Sequence, residues 1–217
     1  MKQAIGLEDA VAMIPDGASV LIGGFMGVGA PHRLLGALGA SGRRDLTLIT
    51  NDTARPGEGV GHLISGGCVR RLIASHIGLN PEAQARRASG EIDVELVPQG
   101  TLVERIRAGG VGLGGVLTQT GLGTQVEQGK QTVEIDGKTW LLETPLRADF
   151  ALIAAYRCDY VGNLEYSLTA HNFNPIMAMS ADTVIAEPDE IVPVGVISPD
   201  AVKTPGILVD HVLKRAV

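Results

Sequence analysis

Four shortages bound this chain before any motif is read. Aromatic residues make up only 3% of its 217 positions, so its core must be filled by Val, Ile, Leu and Ala, as in buried sheets covered by helices. Cysteine occurs only at Cys68 and Cys158, with no Cys-x-x-Cys spacing to suggest metal or redox work, and both are expected to be reduced structural residues. No apolar run approaches the roughly 20 residues of a membrane-spanning helix. Met1 to Asp9 carries charges of both signs rather than a leader pattern, so a cytoplasmic protein is expected. Positive charge is also short: 18 basic against 24 acidic residues leave a net charge of -6, which would repel a phosphate backbone. Arg70-Arg71 and Arg86-Arg87 are only pairs.

What the chain does have is glycine, 29 residues of it, placed where buried strands end. The length suits a single large α/β domain over residues 1–217. The pattern predicts a short helix over Leu7 to Ile14, a strand Ser19 to Gly23, a helix Pro31 to Gly39, and a strand Leu46 to Thr50 that leads into a polar loop from Asn51 to Gly61. A strand Val69 to Ser75, a helix Pro81 to Ala88, a strand Ile92 to Val97 and a helix Leu102 to Ala108 continue the alternation. Such alternation predicts an open, mostly parallel sheet flanked by helices.

The glycine-dense stretch Gly109 to Gly123 is too long for an ordinary turn. Asp136-Gly137 between alternating apolar residues then signals a two-residue hairpin, an insertion over about residues 125–145, with Trp140 packed on it. Further predicted elements are a strand Phe150 to Tyr156, a loop Asp159 to Asn163, a helix near Pro175 to Ser180, and strands near Val184 to Ala186 and Ile191 to Val194. Pro188, Pro193, Pro199 and Pro205 imply short, edge-like structure at the end.

The most informative segment runs from Asp16 to Pro31. An apolar strand enters the turn Gly23, Gly24, Phe25, Met26, Gly27, Val28, Gly29, and Pro31 suits a first helical turn. Gly24-x-x-Gly27-x-Gly29 is neither the dinucleotide fingerprint nor the phosphate loop, and no Lys follows it. Three other loops, Asn51 to Thr53, Ser75 to Gly78 and Pro98 to Thr101, also follow predicted strands, so all four converge on the sheet edge where open α/β folds bind ligands.

The whole fragment, Asp-Gly, two residues, three apolar residues, Gly-Gly-Phe, three residues, Gly-x-Pro, resembles the N-terminal signature of family I coenzyme A transferases. The similarity continues through Asn51-Asp52-Thr53, Ala74-Ser75-His76-Ile77-Gly78, Ser89-Gly90-Glu91, Val97-Pro98-Gln99-Gly100-Thr101, Arg105 to Gly110 and Ala170-His171-Asn172-Phe173-Asn174, nearly the entire chain, and is close to alpha subunits of the acetate/acetoacetate or 3-oxoacid type. The resemblance implies exchange of coenzyme A between a short-chain acyl thioester and a free carboxylate, with coenzyme A as a substrate and no permanently bound cofactor. It also implies a partner beta subunit, in an α2β2 heterotetramer, that carries a nucleophilic glutamate and passes through a glutamyl-CoA thioester.

No Ser-Glu-Asn-Gly-like context for such a glutamate occurs here. Glu91, Glu104, Glu127, Glu134 and Glu187 are best read as solvated or structural carboxylates. By the same resemblance, Gly23 to Gly29 contribute to coenzyme A binding, with Phe25 and Met26 as an apolar wall, or else packed beside a turn. Gln99 and Asn51 are supporting candidates that either hydrogen-bond substrate or the partner's glutamate, or cap nearby backbone. His76 is a possible neutral donor. His32, His62, His171 and His211 are dispersed, so no metal is expected. Two alternatives stay open: a phosphosugar-processing enzyme of related architecture, and a coenzyme A-binding module without transferase activity.

Overall fold

The computed structural model describes residue 2 and residues 4–214. After β1 (Ala4–Ile5) and α1 (Leu7–Ala12), strands and helices alternate: β2 (Ser19–Ile22), α2 (His32–Ala40), β3 (Leu46–Asp52), α3 (Gly61–Ser65), β4 (Val69–His76), α4 (Pro81–Ala88), β5 (Asp93–Leu96) and α5 (Gln99–Gly110). Then come β6 (Val116–Thr118), the hairpin β7 (Thr132–Ile135) and β8 (Lys138–Glu143), β9 (Ala148–Asp159), β10 (Leu164–Glu165), α6 (Asn174–Met177), β11 (Ala181–Val192) and β12 (His211–Leu213).

Eight strands form one parallel sheet in the order β1-β12-β11-β9-β2-β3-β4-β5, and β10 adds antiparallel to β9. Strand residues alternate between faces, and here both faces are apolar. Val20, Ile22, Leu48 and Leu72 pack with Leu34, Leu35 and Leu38 of α2 and Leu63 and Ile64 of α3. Leu21, Ile49, Ile73 and Ile153 pack on the other side with Leu102 and Ile106 of α5 and Ile176 and Met177 of α6. This two-sided burial is why the strands read as continuous apolar runs.

Connectivity reverses beside β2. From β2 the chain steps outward through β3, β4 and β5, whereas β2's other neighbour is β9, from which β11, β12 and β1 lead to the opposite edge. Open α/β sheets bind ligands outside the carboxyl ends of the strands at such a reversal. The glycine turn lies there, directly after β2.

Several boundaries differ from expectation, for identifiable reasons. Helix α5 starts at Gln99, not Leu102, because the Pro98 carbonyl accepts the Leu102 N–H at 2.8 Å. It runs on to Gly110 because Gly109 and Gly110 press against Leu146 and Met179, where a Cβ would lie only 2.1 and 2.7 Å from their atoms. The rest of the glycine-dense segment supplies β6, which joins β8 and β7 in a separate antiparallel sheet. The hairpin turns at Asp136-Gly137 as its sequence demands, with φ of 51° and 70°.

The two expected strands around Pro188 are one twelve-residue strand, β11. Val184 turns its backbone toward Asp210, so alternate residues, Pro188 included, turn their nitrogens to the β12 side. Pairing with β12 stops at Ala186, so no ladder bond is asked of Pro188. The supposed loop from Asn51 begins two residues later than expected, since β3 continues to Asp52, and Gly61 opens α3.

Candidate functional site

The turn after β2 is a tight hairpin. Phe25 and Val28 exchange both backbone hydrogen bonds, at 3.0 and 2.9 Å, and the two residues between them, Met26 and Gly27, lie at φ of 50° and 85°. Positive φ at both central positions is the primed two-residue turn. Glycine takes this conformation freely; Met26 does not. Gly23 is fixed for another reason: a Cβ there would fall 1.8 Å from Asn174 Oδ1.

Two sets of polar side chains hold this hairpin. On one flank, Asn172 Oδ1 accepts from the Gly24 N–H at 3.1 Å while Asn172 Nδ2 donates to the Val28 carbonyl at 2.9 Å. Asn174, fully buried, donates to the Gly29 carbonyl at 2.9 Å and accepts from the Ala154 N–H of β9, tying the turn to the neighbouring strand across the reversal. On the other flank, the carboxylate of Asp52, at the end of β3, accepts from the Met26 N–H at 2.8 Å.

Asn51 and Gln99 converge behind that carboxylate. Gln99 Nε2, on the first turn of α5, donates to Asn51 Oδ1 at 2.7 Å, Ser75 Oγ donates to the same oxygen at 3.0 Å, and Asn51 Nδ2 donates to Asp52 Oδ2 at 2.6 Å. Asn51 is buried and its amide is engaged within the chain, whereas Gln99 and His76 are exposed at the rim. The relay therefore runs from the exposed helix end, through the end of β3 with Ser75 of β4 joining it, to the hairpin.

The outer surface of the hairpin is apolar and open. Phe25, Met26 and Val28 are 43%, 44% and 50% exposed, and with Leu168, Thr169, His171 and Asn172 they line a cleft of about 720 Å³. Of the N–H groups from Gly24 to Gly29, those of Gly27 and Gly29 have no acceptor among the described residues, while Gly24, Phe25, Met26 and Val28 are bonded. The free donors beside an apolar wall suit a ligand with an apolar arm and a polarisable carbonyl.

The model of the coenzyme A transferase family matches residues 5–215. The chain belongs to the coenzyme A transferase family. Acetate CoA-transferase subunit alpha of Escherichia coli strain K12 is 60% identical over 207 residues, covering 95% of this chain and 94% of that one. The alpha subunit of acetoacetyl-CoA:acetate/butyrate CoA transferase from Clostridium acetobutylicum is 48% identical over 214 residues, covering 99% and 98%. The chain is thus a coenzyme A transferase subunit of the alpha type.

Among solved structures, an acyl-CoA transferase of E. coli O157:H7, in a thioester complex with coenzyme A, has the same fold. It superposes with a TM-score of 0.88 at 24% identity over 98% of this chain, which spans about half (47%) of that longer chain. A variant of the decarboxylase AibA/AibB superposes at 0.83 with 31% identity, covering 100% of this chain and 84% of that one.

In this transferase subunit the five glutamates weighed from sequence lie away from the hairpin's open face or are already engaged. Glu91 pairs with Arg86, Glu104 with Arg107 rather than its neighbour Arg105, Glu127 accepts from the Gly123 N–H, and Glu134 meets Thr139. Glu187 does not end a strand. It lies inside β11, and its two oxygens accept the Arg33 and Leu34 N–H groups at 3.1 and 2.8 Å, capping α2, whose N-cap Pro31 offers no side-chain acceptor.

Both cysteines are buried and unpaired, and burial raises each thiol, Cys158 to about 12 with Asp159 adding to the effect. Neither is a nucleophile at neutral pH. No cluster of three or more His, Cys, Asp or Glu able to hold a metal ion occurs among the described residues, and no helix there is long and apolar enough to cross a membrane.

What residue-by-residue reading missed at the site is Asp52, Asn172 and Asn174. Asn172 and Asn174 stood inside a motif of the resemblance but carried no role. Their only signal was the spacing Asn-Phe-Asn after a histidine, which says nothing about a partner 144 or 145 positions upstream.

Proposed function

We propose that this subunit forms the acyl-CoA side of a shared active site, in which coenzyme A passes between a short-chain or 3-oxoacyl thioester and a free carboxylic acid of the acetate/acetoacetate class. A beta subunit supplies the nucleophilic glutamate, and two chains of each type make the cytoplasmic enzyme. The observation that carries this reading is the open apolar wall of Phe25, Met26 and Val28 on a hairpin whose underlying carboxylate, Asp52, is buried and filled with hydrogen bonds from this chain. Because the exposed Glu58 carboxylate would lie 3.9 Å from a Cβ at Gly27, locating the covalent adduct is the deciding test.

The chemistry then balances across the two chains. The partner's glutamate oxygen attacks the thioester carbonyl, and the thiolate of coenzyme A leaves from a mixed anhydride. That thiolate attacks the glutamyl carbonyl and releases the first carboxylate, leaving a glutamyl-CoA thioester that an incoming carboxylate resolves by the reverse steps. The free N–H groups of Gly27 and Gly29 are placed to serve the thioester oxygen or the pantetheine amides, and Phe25, Met26 and Val28 to hold the apolar part of the arm. The exposed apolar residues along the same edge, with Leu168 at 91%, favour cover by a partner.

The test is acyl exchange with the cognate beta chain, combined with mass analysis after acyl-CoA alone. The expected result is a covalent coenzyme A adduct on the beta chain and none on this one. Turnover or an adduct on the isolated 217-residue chain would sink the reading. Phe25→Ala in the assembled enzyme should raise KM for acyl-CoA about tenfold, the loss of one buried ring contact, with little change in KM for the carboxylic acid.

A further inference from the structure

Five residues other than glycine adopt positive φ among those described; Leu168 at 49° stands in the cleft wall, and two others, Met26 at 50° and Ala54 at 49°, lie in the loops after β2 and β3. Each such residue costs on the order of 1 kcal/mol or more unless its surroundings hold it. The same carboxylate holds both. Asp52 Oδ2 accepts from the Met26 N–H at 2.8 Å and Oδ1 accepts from the Ala54 N–H at 2.7 Å. Asp52 is only 4% exposed, and its three donors, these two amides and Asn51 Nδ2, are all neutral.

A carboxylate buried without a cation among its hydrogen-bond donors is costly to place, and a simple turn does not require one. Here its two oxygens point at two backbone amides on separate loops, both of which must stay in the left-handed region for the hairpin to stand as it does. An amide side chain cannot replace it, because Asn at 52 would present an acceptor to one loop and an NH2 group to the other. The relay behind it, Gln99 to Asn51 to Asp52, orients the carboxylate by a charge-assisted hydrogen bond of 2.6 Å.

We propose that Asp52 is a positioning residue of the transferase reaction. It clamps the Phe25–Val28 hairpin and the Ala54 turn into strained backbone, and so fixes where the free Gly27 and Gly29 N–H groups stand beside the apolar wall. The proposal rests on the reading that this hairpin serves the acyl-CoA side. Asp52 itself touches no substrate, and acts through Met26.

The test uses the enzyme assembled with its beta chain and three variants: Asp52→Asn, Met26→Gly, and the two together. Asp52→Asn should lower kcat/KM for acyl-CoA about 30-fold, the scale of a small misplacement at a reacting centre. It should also speed amide exchange in peptides spanning residues 24–29 and 53–59 about tenfold. Met26→Gly removes a side chain of the apolar wall and should by itself lower kcat/KM about tenfold, but glycine at 26 takes positive φ unaided, so adding Asp52→Asn to it should cost only about threefold more instead of the roughly 30-fold expected in the wild-type background.

An Asp52→Asn penalty as large with glycine at 26 as with methionine, or unchanged exchange at the hairpin, overturns the clamp. Faster exchange with a loss confined to the carboxylic-acid half-reaction supports the clamp and overturns the acyl-CoA assignment of the hairpin. The unmodified enzyme gives a check free of variants, should Asp52→Asn fail to assemble. There the Met26 and Ala54 amides must exchange at least about tenfold more slowly than the Gly27 amide, and equal rates overturn the proposal.

Discussion

Three carboxylates are buried among the described residues, Asp52, Glu143 and Asp159, and the first two, in different regions of the subunit, are satisfied in opposite ways. At the sheet edge, Asp52 is surrounded by neutral N–H groups and holds backbone that would otherwise relax. Beneath the small antiparallel sheet, Glu143 on β8 is only 1% exposed, accepts from Lys130 Nζ at 2.6 Å and lies 3.8 Å from Arg105 Nε. Arg105 in turn donates to the Thr144 carbonyl at 2.8 Å and to Glu95 at 2.7 Å, and Arg71 donates to the far oxygen of Glu95 at 3.0 Å. That network joins β4, β5, α5 and β8 and leaves no strained residue behind it. Charge matched by charge is a fastening; charge matched by backbone dipoles is a means of shaping a site.

The contrast can be broken most severely at Gly23. Gly23→Ala must displace Asn174, which loses its bonds to Gly29, Ala170 and Ala154. A loss of about 4 kcal/mol is expected, read as a lower melting temperature together with loss of acyl exchange. A melting temperature within a few degrees of wild type would mean that the hairpin is not fastened as described.

Next in size is Glu143→Ala, which strands Lys130, takes one of two carboxylates from Arg105 and should cost about 3 kcal/mol. The loss should fall on stability alone, with kcat/KM per folded enzyme unchanged. A kinetic defect would erase the distinction between the two regions.

The smallest effect is in acid. Burial raises the Glu95 carboxyl, but the hydrogen bonds and charges of Arg105 and then Arg71 outweigh it, leaving the group below its ordinary value near 4.5. A depressed folded value means that the stabilisation is fully present above the unfolded value and is lost as pH falls below about 4.5 through the folded one. Glu95→Gln should therefore lower stability at neutral pH and flatten its decline in acid. An acid limb as steep as in wild type would show that Glu95 is not what the network loses first.

The parallel order of β2 to β5 and the position of the glycine turn were legible because strands buried on both faces leave long apolar runs, and turns with positive φ demand glycine. The hairpin at Asp136-Gly137 was legible for the same reason. Asn51 and Gln99 were recognised as neighbours of the site, but which of Asn51 and Asp52 acts on the hairpin depends on contacts between strand ends far apart in sequence. The continuity of β11 through Pro188 was hidden because it depends on where β12 stops pairing. Helix α3 was hidden by its five-residue length, too short to show a period.

The cap that Glu187 places on α2 has a consequence for the order of folding. The carboxylate and the amide of Leu34 are separated by 153 positions, so during synthesis α2 emerges with its first turn open and stays so until most of the chain has left the ribosome. The segment beside the glycine hairpin thus belongs to the last cooperative event rather than the first. A shortened product ending before β11 would carry the whole strand-turn-helix motif and still lack the contact that closes it.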